Sequence, residues 1–215
     1  GKIDYQYLVM PTNFTEDKWI QMVEVRPTFR PSVHHVVVFV REKGNNWLSQ
    51  AQPGVPYVPP SNQQFQNTLG ANNEVLTVYT PGMVPDIWKP GLAKLIPAGA
   101  DLVFQLRYTP NAKAGAGMDK TKVGMVFAKQ PPAERVLTLG VIDFNLKIPP
   151  GEGNYESNAR APHFHAGTLL SFFPHMHLRG SAFDFDIVGE RGRVEQLLRV
   201  RPFDFHWQLT YWLKT

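Results

Sequence analysis

The chain has 215 residues, 43% of them hydrophobic and 19% charged, which is enough length and apolar content for one large β domain or two modest ones. Its 22 Lys and Arg against 18 Asp and Glu leave a formal charge of +4, but the basic residues are scattered without the run that tracks a phosphate backbone, which argues against nucleic acid as a partner. There is no cysteine, so disulfides, thiolate metal sites and a cysteine nucleophile are excluded, and imidazole, carboxylate and thioether remain as metal donors.

Nineteen Pro and seventeen Gly, spread along the chain, predict many short strands joined by turns and an all-β class. Residues 5–10 and 18–25 read as strands or edges, with Thr15-Glu16-Asp17-Lys18 as a short turn between them. Residues 33–40 carry the clearest strand pattern: Val36, Val37, Val38, Phe39 and Val40 form a nearly continuous β-branched and aromatic run, as in a strand buried on both faces. Residues 44–70, rich in Pro, Asn and Gln with few apolar anchors, predict a long loop. Strands are expected again at 74–80, 91–96, 101–108 and 122–127, divided by the Pro81-Gly82 and Pro97-Ala98-Gly99 turns and by the small, flexible stretch 113–120. No run approaches the roughly 20 apolar residues of a membrane helix, and no amino-terminal signal pattern is present.

Gln130-Pro131-Pro132-Ala133 then interrupts the pattern, because two consecutive prolines cannot continue a central strand. This places a domain boundary there, with residues 1–132 and 133–215 as two β-sandwich domains. The second half has strand patterns near 135–146, 168–173, 182–188, 196–200 and 207–213, a short count for a sandwich. With no initiator Met at Gly1 and an alternating pattern running almost to Thr215, the chain reads as a piece of a longer protein.

The residues with chemical potential are histidines. His175 and His177 lie two apart in Phe172-Phe173-Pro174-His175-Met176-His177-Leu178-Arg179-Gly180, so on an extended strand they would share a face while Met176 points away. Such a pair either holds a metal ion or is two polar residues on a solvated face; the apolar flanks Leu169, Leu170, Phe172, Phe173 and Leu178 favour the first. His34 and His35 are adjacent, and neighbours in a regular strand point to opposite faces, so a shared ion there requires a bulge. His163 and His165 repeat the two-apart spacing beside a turn, either as surface residues or as substitute ligands. Asp184 and Asp186 read as an exposed edge face. No G-x-S-x-G, phosphate loop, H-E-x-x-H or EF-hand pattern occurs.

The Phe-Pro-His-Met-His-Leu-Arg-Gly segment at 173–180 resembles the signature of the copper type II, ascorbate-dependent monooxygenases, in particular their bacterial branch. Similar segments run along most of the chain: Asp4-Tyr5-Gln6, Val33-His34-His35-Val36, Tyr79-Thr80-Pro81-Gly82, Ile96-Pro97-Ala98-Gly99, Gln105-Leu106-Arg107-Tyr108-Thr109-Pro110-Asn111 and Phe203-Asp204-Phe205-His206-Trp207-Gln208. Peptidylglycine alpha-hydroxylating monooxygenase and dopamine beta-monooxygenase are the better-known members. The resemblance implies two tandem jelly-roll-like sandwiches, the second incomplete at its carboxy end, each carrying one copper. It implies His34 and His35 as ligands of the electron-entry copper, His175 and His177 as ligands of the oxygen-activating copper, ascorbate or another reductant as co-substrate, and a periplasmic or secreted setting.

This chain departs from that pattern in several places. Arg107 stands where relatives carry the third ligand of the first copper, and a guanidinium donates hydrogen bonds only and repels a cation, by about 4 kcal/mol per pair of unit charges at 4 Å and an effective dielectric of 20. None of Met10, Met22, Met83, Met118, Met125 or Met176 matches the thioether ligand of the second copper. Ser181 replaces a common Lys, and His206 a common Asn, read as a core or supporting polar residue. These departures leave a competing expectation: a non-catalytic sandwich subunit or scaffold of a larger extracytoplasmic assembly, its second half covered by a partner or by further chain.

Overall fold

The computed structural model describes residues 5–60, 73–162 and 166–214, and it is all-β. In chain order the strands are β1 (Gln6–Pro11), β2 (Lys18–Arg26), β3 (Val33–Arg41), β4 (Asn73–Tyr79), β5 (Asp86–Ile87), β6 (Leu92–Ile96), β7 (Asp101–Tyr108), β8 (Lys122–Phe127), β9 (Glu134–Arg135), β10 (Ser171–Phe172), β11 (Phe183–Val188), β12 (Val194–Val200) and β13 (Tyr211–Trp212). The first half holds a four-stranded antiparallel sheet in the order β1-β7-β3-β4 and a five-stranded sheet built on β2, which pairs with β5, β6 and β8.

These sheets pack as in a β-sandwich. Ile20, Val23 and Val25 of β2 and Ile96 of β6 meet Val36, Val38 and Val40 of β3, Leu76 of β4 and Leu102, Phe104 and Leu106 of β7 in one core. Each of these apolar side chains contributes about 1.5–3 kcal/mol by leaving water. The opposite face of β3 is covered too: Phe39 packs with Tyr7, Val9, Trp47, Ala51, Val75 and Val103. Burial on both sides is why the 33–40 run lacks polar alternation.

Of the predicted 44–70 loop, residues 61–70 lie outside the described residues, and 44–60 are better anchored than their composition predicts. Trp47 and Ala51 are buried beside Phe39, and Tyr57 exchanges both backbone hydrogen bonds with Tyr7 at 2.8 Å. Two aromatic anchors suffice because the outer face of β3 needs a cover.

The second half departs further from expectation. Of the 135–146 pattern only Arg135 lies in a strand, Glu134–Arg135, which pairs parallel with β6, and Leu137, Leu139 and Phe144 beyond it are exposed. Apolar alternation forms a strand only where it pairs with a strand edge, and after Val136, whose N–H donates to the Ala93 carbonyl, residues 137–148 form no strand. Among the described residues, the strands that follow form two two-stranded sheets, β10-β13 and β11-β12. Lys94, 3% exposed, donates to the Val75 carbonyl and to Thr138 Oγ1 at 2.5 Å, while Arg135 pairs with Glu74 at 2.8 Å. A buried cation and an ion pair thus tie the segment after the double proline to the first half.

Candidate functional site

β3 pairs with β7 so that His35 lies opposite Arg107, and the register slips between Val33 and His35. That slip is the bulge a shared histidine site requires: it turns His34 to the side of His35 and leaves their Nδ1 atoms 3.1 Å apart. With both rings neutral, one of them donates from Nδ1 and the other accepts.

The other pair arrives from the far end of the sequence. His175 and His177 follow β10 in irregular backbone, not on the extended strand their spacing suggests, because Pro174 ends the pairing and a turn closes with Gly180 N–H donating to the His177 carbonyl at 2.8 Å. Gly180 is required there, since a Cβ would lie 2.6 Å from Met176 Cβ. The rings of His175 and His177 are 5.4 Å apart and nearly perpendicular, and His175 lies 5.6 Å from His35. Four imidazoles from two distant segments therefore form one contiguous row. Phe205 stacks on His34 at 4.5 Å and Tyr5 lies 5.6 Å from His35.

Arg107 enters this row. Its Nη1 donates to Tyr5 Oη at 2.7 Å and lies 3.5 Å from His177 Nε2, and its guanidinium carbon sits 5.1 Å over the Tyr5 ring. All four histidines are pushed below the ordinary range. Burial lowers His34 to about 4, with the Arg107 charge next, and burial holds His35 well below the usual value. His175 and His177 shift the same way, burial first, the first opposed by its bond to Gln208 and the second reinforced by Arg107. The effect is firmest for His35, which is 4% exposed, because His175 and His177 remain open to solvent.

Neutral imidazole is the metal-binding form, and His35 Nε2 is buried without a hydrogen-bond partner. The donors in this row are borderline nitrogen ligands with no carboxylate, a type that suits copper, zinc, iron or nickel rather than magnesium or calcium. As they stand, however, no three His, Asp or Glu side chains among the described residues are grouped closely enough to hold one ion.

His163 and His165 lie outside the described residues. His206 is on the surface, 3.6 Å from Asp204, and not a core polar residue; the alternation of 203–208 buries Phe203 and Gln208 instead. Ser181 is exposed, and its carbonyl accepts from Phe203 N–H. Asp184 is half-buried between Arg199 and Arg201, while Asp186 is exposed. An open depression of about 440 Å3 beside Phe29, Ser32, Tyr108 and Asn111 includes none of the four histidines.

Sequence reasoning missed Gln208 and Tyr5 as parts of this site. The signal for Gln208 was a lone amide inside an apolar, aromatic run, where a buried polar group must find partners. No protein-family model matches this chain, and no curated protein matches it in sequence.

Proposed function

We propose that this chain is a copper-binding, monooxygenase-like protein that hydroxylates a substrate C–H bond with O2 and a reductant such as ascorbate. The observation that carries the reading is the convergence of His34 and His35 with His175 and His177, all held neutral, around a buried His35 nitrogen that has no partner. Bound copper would supply the redox change and O2 activation that such a hydroxylation needs. The chain's own residues do the rest: the bulge at His34 aligns the first pair, the turn at Gly180 presents the second, and the aromatic rings of Tyr5 and Phe205 keep water from two sides of the row. On this reading residues 1–132 and 133–215 are two jelly-roll-like domains, the protein works in the periplasm or outside the cell, and a partner covers the second half.

A second reading keeps the fold without the chemistry, as a scaffold subunit. Arg107 favours it, because a permanent cation 3.5 Å from His177 Nε2 engages the lone pair that a metal would take. Reconstitution with Cu2+ followed by removal of excess metal and elemental analysis separates the two. Retained copper whose electron paramagnetic resonance shows nitrogen coupling supports the first reading, and that coupling should weaken in His175→Ala and His35→Ala. Protein that retains no copper is the scaffold.

A further inference from the structure

Gln208 is 2% exposed, and every polar group it has in reach of this site is committed. Its side-chain Nε2 donates to the Phe205 carbonyl at 2.7 Å, its Oε1 lies 2.6 Å from His175 Nδ1, and its backbone carbonyl accepts from Thr80 Oγ1 at the end of β4. The amide orientation is fixed by chemistry. Turned over, Oε1 would face the Phe205 carbonyl, an acceptor against an acceptor, so Oε1 must face the imidazole. An amide oxygen only accepts; His175 therefore carries its proton on Nδ1 and presents an unprotonated Nε2, the reverse of what a free histidine side chain prefers.

The second link runs through Thr80. Gly82, two residues on, has φ +92° and packs so closely against Trp207 that a Cβ would lie 2.9 Å from the indole ring, and Thr210 Oγ1 reaches Met83 sulfur at 3.9 Å. The 80–83 turn of the first half is thus the seat on which 207–210 rests, and Gln208 is the residue of that contact that also touches a site histidine.

We propose that Gln208 is the positioning residue of the histidine row: it holds His175 in the Nδ1–H tautomer with Nε2 presented to a ligand, and through Thr80 it makes that tautomer depend on docking of the two halves. The role rests on the metal-site reading for its purpose, but the tautomer is a property of the metal-free protein and is tested there. A hydrogen bond of this kind to the remote nitrogen orients the ring and raises its basicity, and losing it costs about 10–100-fold in metal affinity.

The experiment is long-range 1H–15N correlation on metal-free, 15N-histidine-labelled protein at pH 8, with His175 assigned by its loss in His175→Ala. Unaltered protein should show His175 protonated on Nδ1. Gln208→Met, close in volume but without an acceptor, should move the proton to Nε2, whereas Gln208→Glu, which keeps the acceptor and, protonated on the oxygen facing the Phe205 carbonyl, the donor as well, should leave it on Nδ1. Thr80→Val should give a mixture, because the amide survives but its seat is loosened. Copper affinity should fall about 10–100-fold in Gln208→Met and be largely recovered in Gln208→Glu. His175 protonated on Nε2 in the unaltered protein overturns the proposal, as does an unchanged tautomer in folded Gln208→Met; should that variant not fold, the spectra of the unaltered protein and Thr80→Val decide. An Nδ1–H His175 in protein that binds no copper would leave the positioning role standing and remove the metal-site reading. Copper bound by protein whose His175 tautomers are mixed would do the opposite.

Discussion

Arg107 is the residue at which the site's two possible uses divide. Its charge contributes to the lowered proton affinity of all four histidines, and its Nη1 faces His177 Nε2, so a cation arriving there meets both repulsion and an occupied lone pair. The unaltered protein should bind at most one copper with useful affinity, and Arg107→His should add a second ion; isothermal titration showing two equally tight coppers without the substitution would mean that Arg107 does not keep an ion off the histidine row. The same geometry sets a pH dependence. His34 stays neutral in the folded protein down to about pH 4 but ionises near 6.5 when unfolded, so the unfolded chain binds more protons between these values. Its contribution to stability is present above pH 6.5 and is lost as pH falls towards 4. Histidine proton shifts should show His34 titrating near pH 4, and urea midpoints should decline over that window less steeply in His34→Asn.

Among the elements, the bulged start of β3 and the 80–83 turn do most to assemble the site. The bulge changes which way one residue points, and without it His34 would lie in the sandwich core with Val36 and Val38. The turn carries the docking of 207–210, and its Gly82 has both a left-handed backbone and no room for a Cβ. Gly82→Ala should cost about 1–3 kcal/mol from backbone strain alone, with a further loss from displaced Trp207. Urea unfolding followed by tryptophan fluorescence checks the magnitude. A substitution that changes neither stability nor the indole environment would show that the turn does not bear on Trp207.

Across the whole molecule, packing is unevenly shared. The first half has a two-sheet core and a covered outer face, while the second has two separate two-stranded sheets and exposes Leu139, Phe144, Leu178, Val194 and Trp207, the last at 56%. Two-stranded sheets are marginal in water without a third strand or a packed face. Phe172, Phe183 and Phe185, half-buried, stack in a chain at 4.4 and 4.8 Å, and Val200 and Phe203 are the buried apolar residues beside them in sequence. Residues 134–215 expressed alone should therefore aggregate, self-associate or lose near-ultraviolet dichroism. A monomer by sedimentation with sharp aromatic dichroism would refute this and show that the segment is a domain in its own right.

Much of the fold was legible in the residues themselves. Composition and turn chemistry determined the all-β class, and β-branched runs placed β2, β3, β4, β6, β7 and β8 close to where they lie, because such runs form strands wherever a core is available. The histidines were legible as types and spacings. Their meeting was not, for two physical reasons: a bulge is a slip of register between two strands and exists only in the pair, and His35 and His175, which touch, lie 140 positions apart, so their contact depends on how 207–210 sits on the 80–83 turn. The 137–148 pattern failed for a related reason, since a strand needs a partner edge that local sequence does not supply. The tautomer of His175 belongs to the same class, since it is set by the oxygen of an amide 33 positions away.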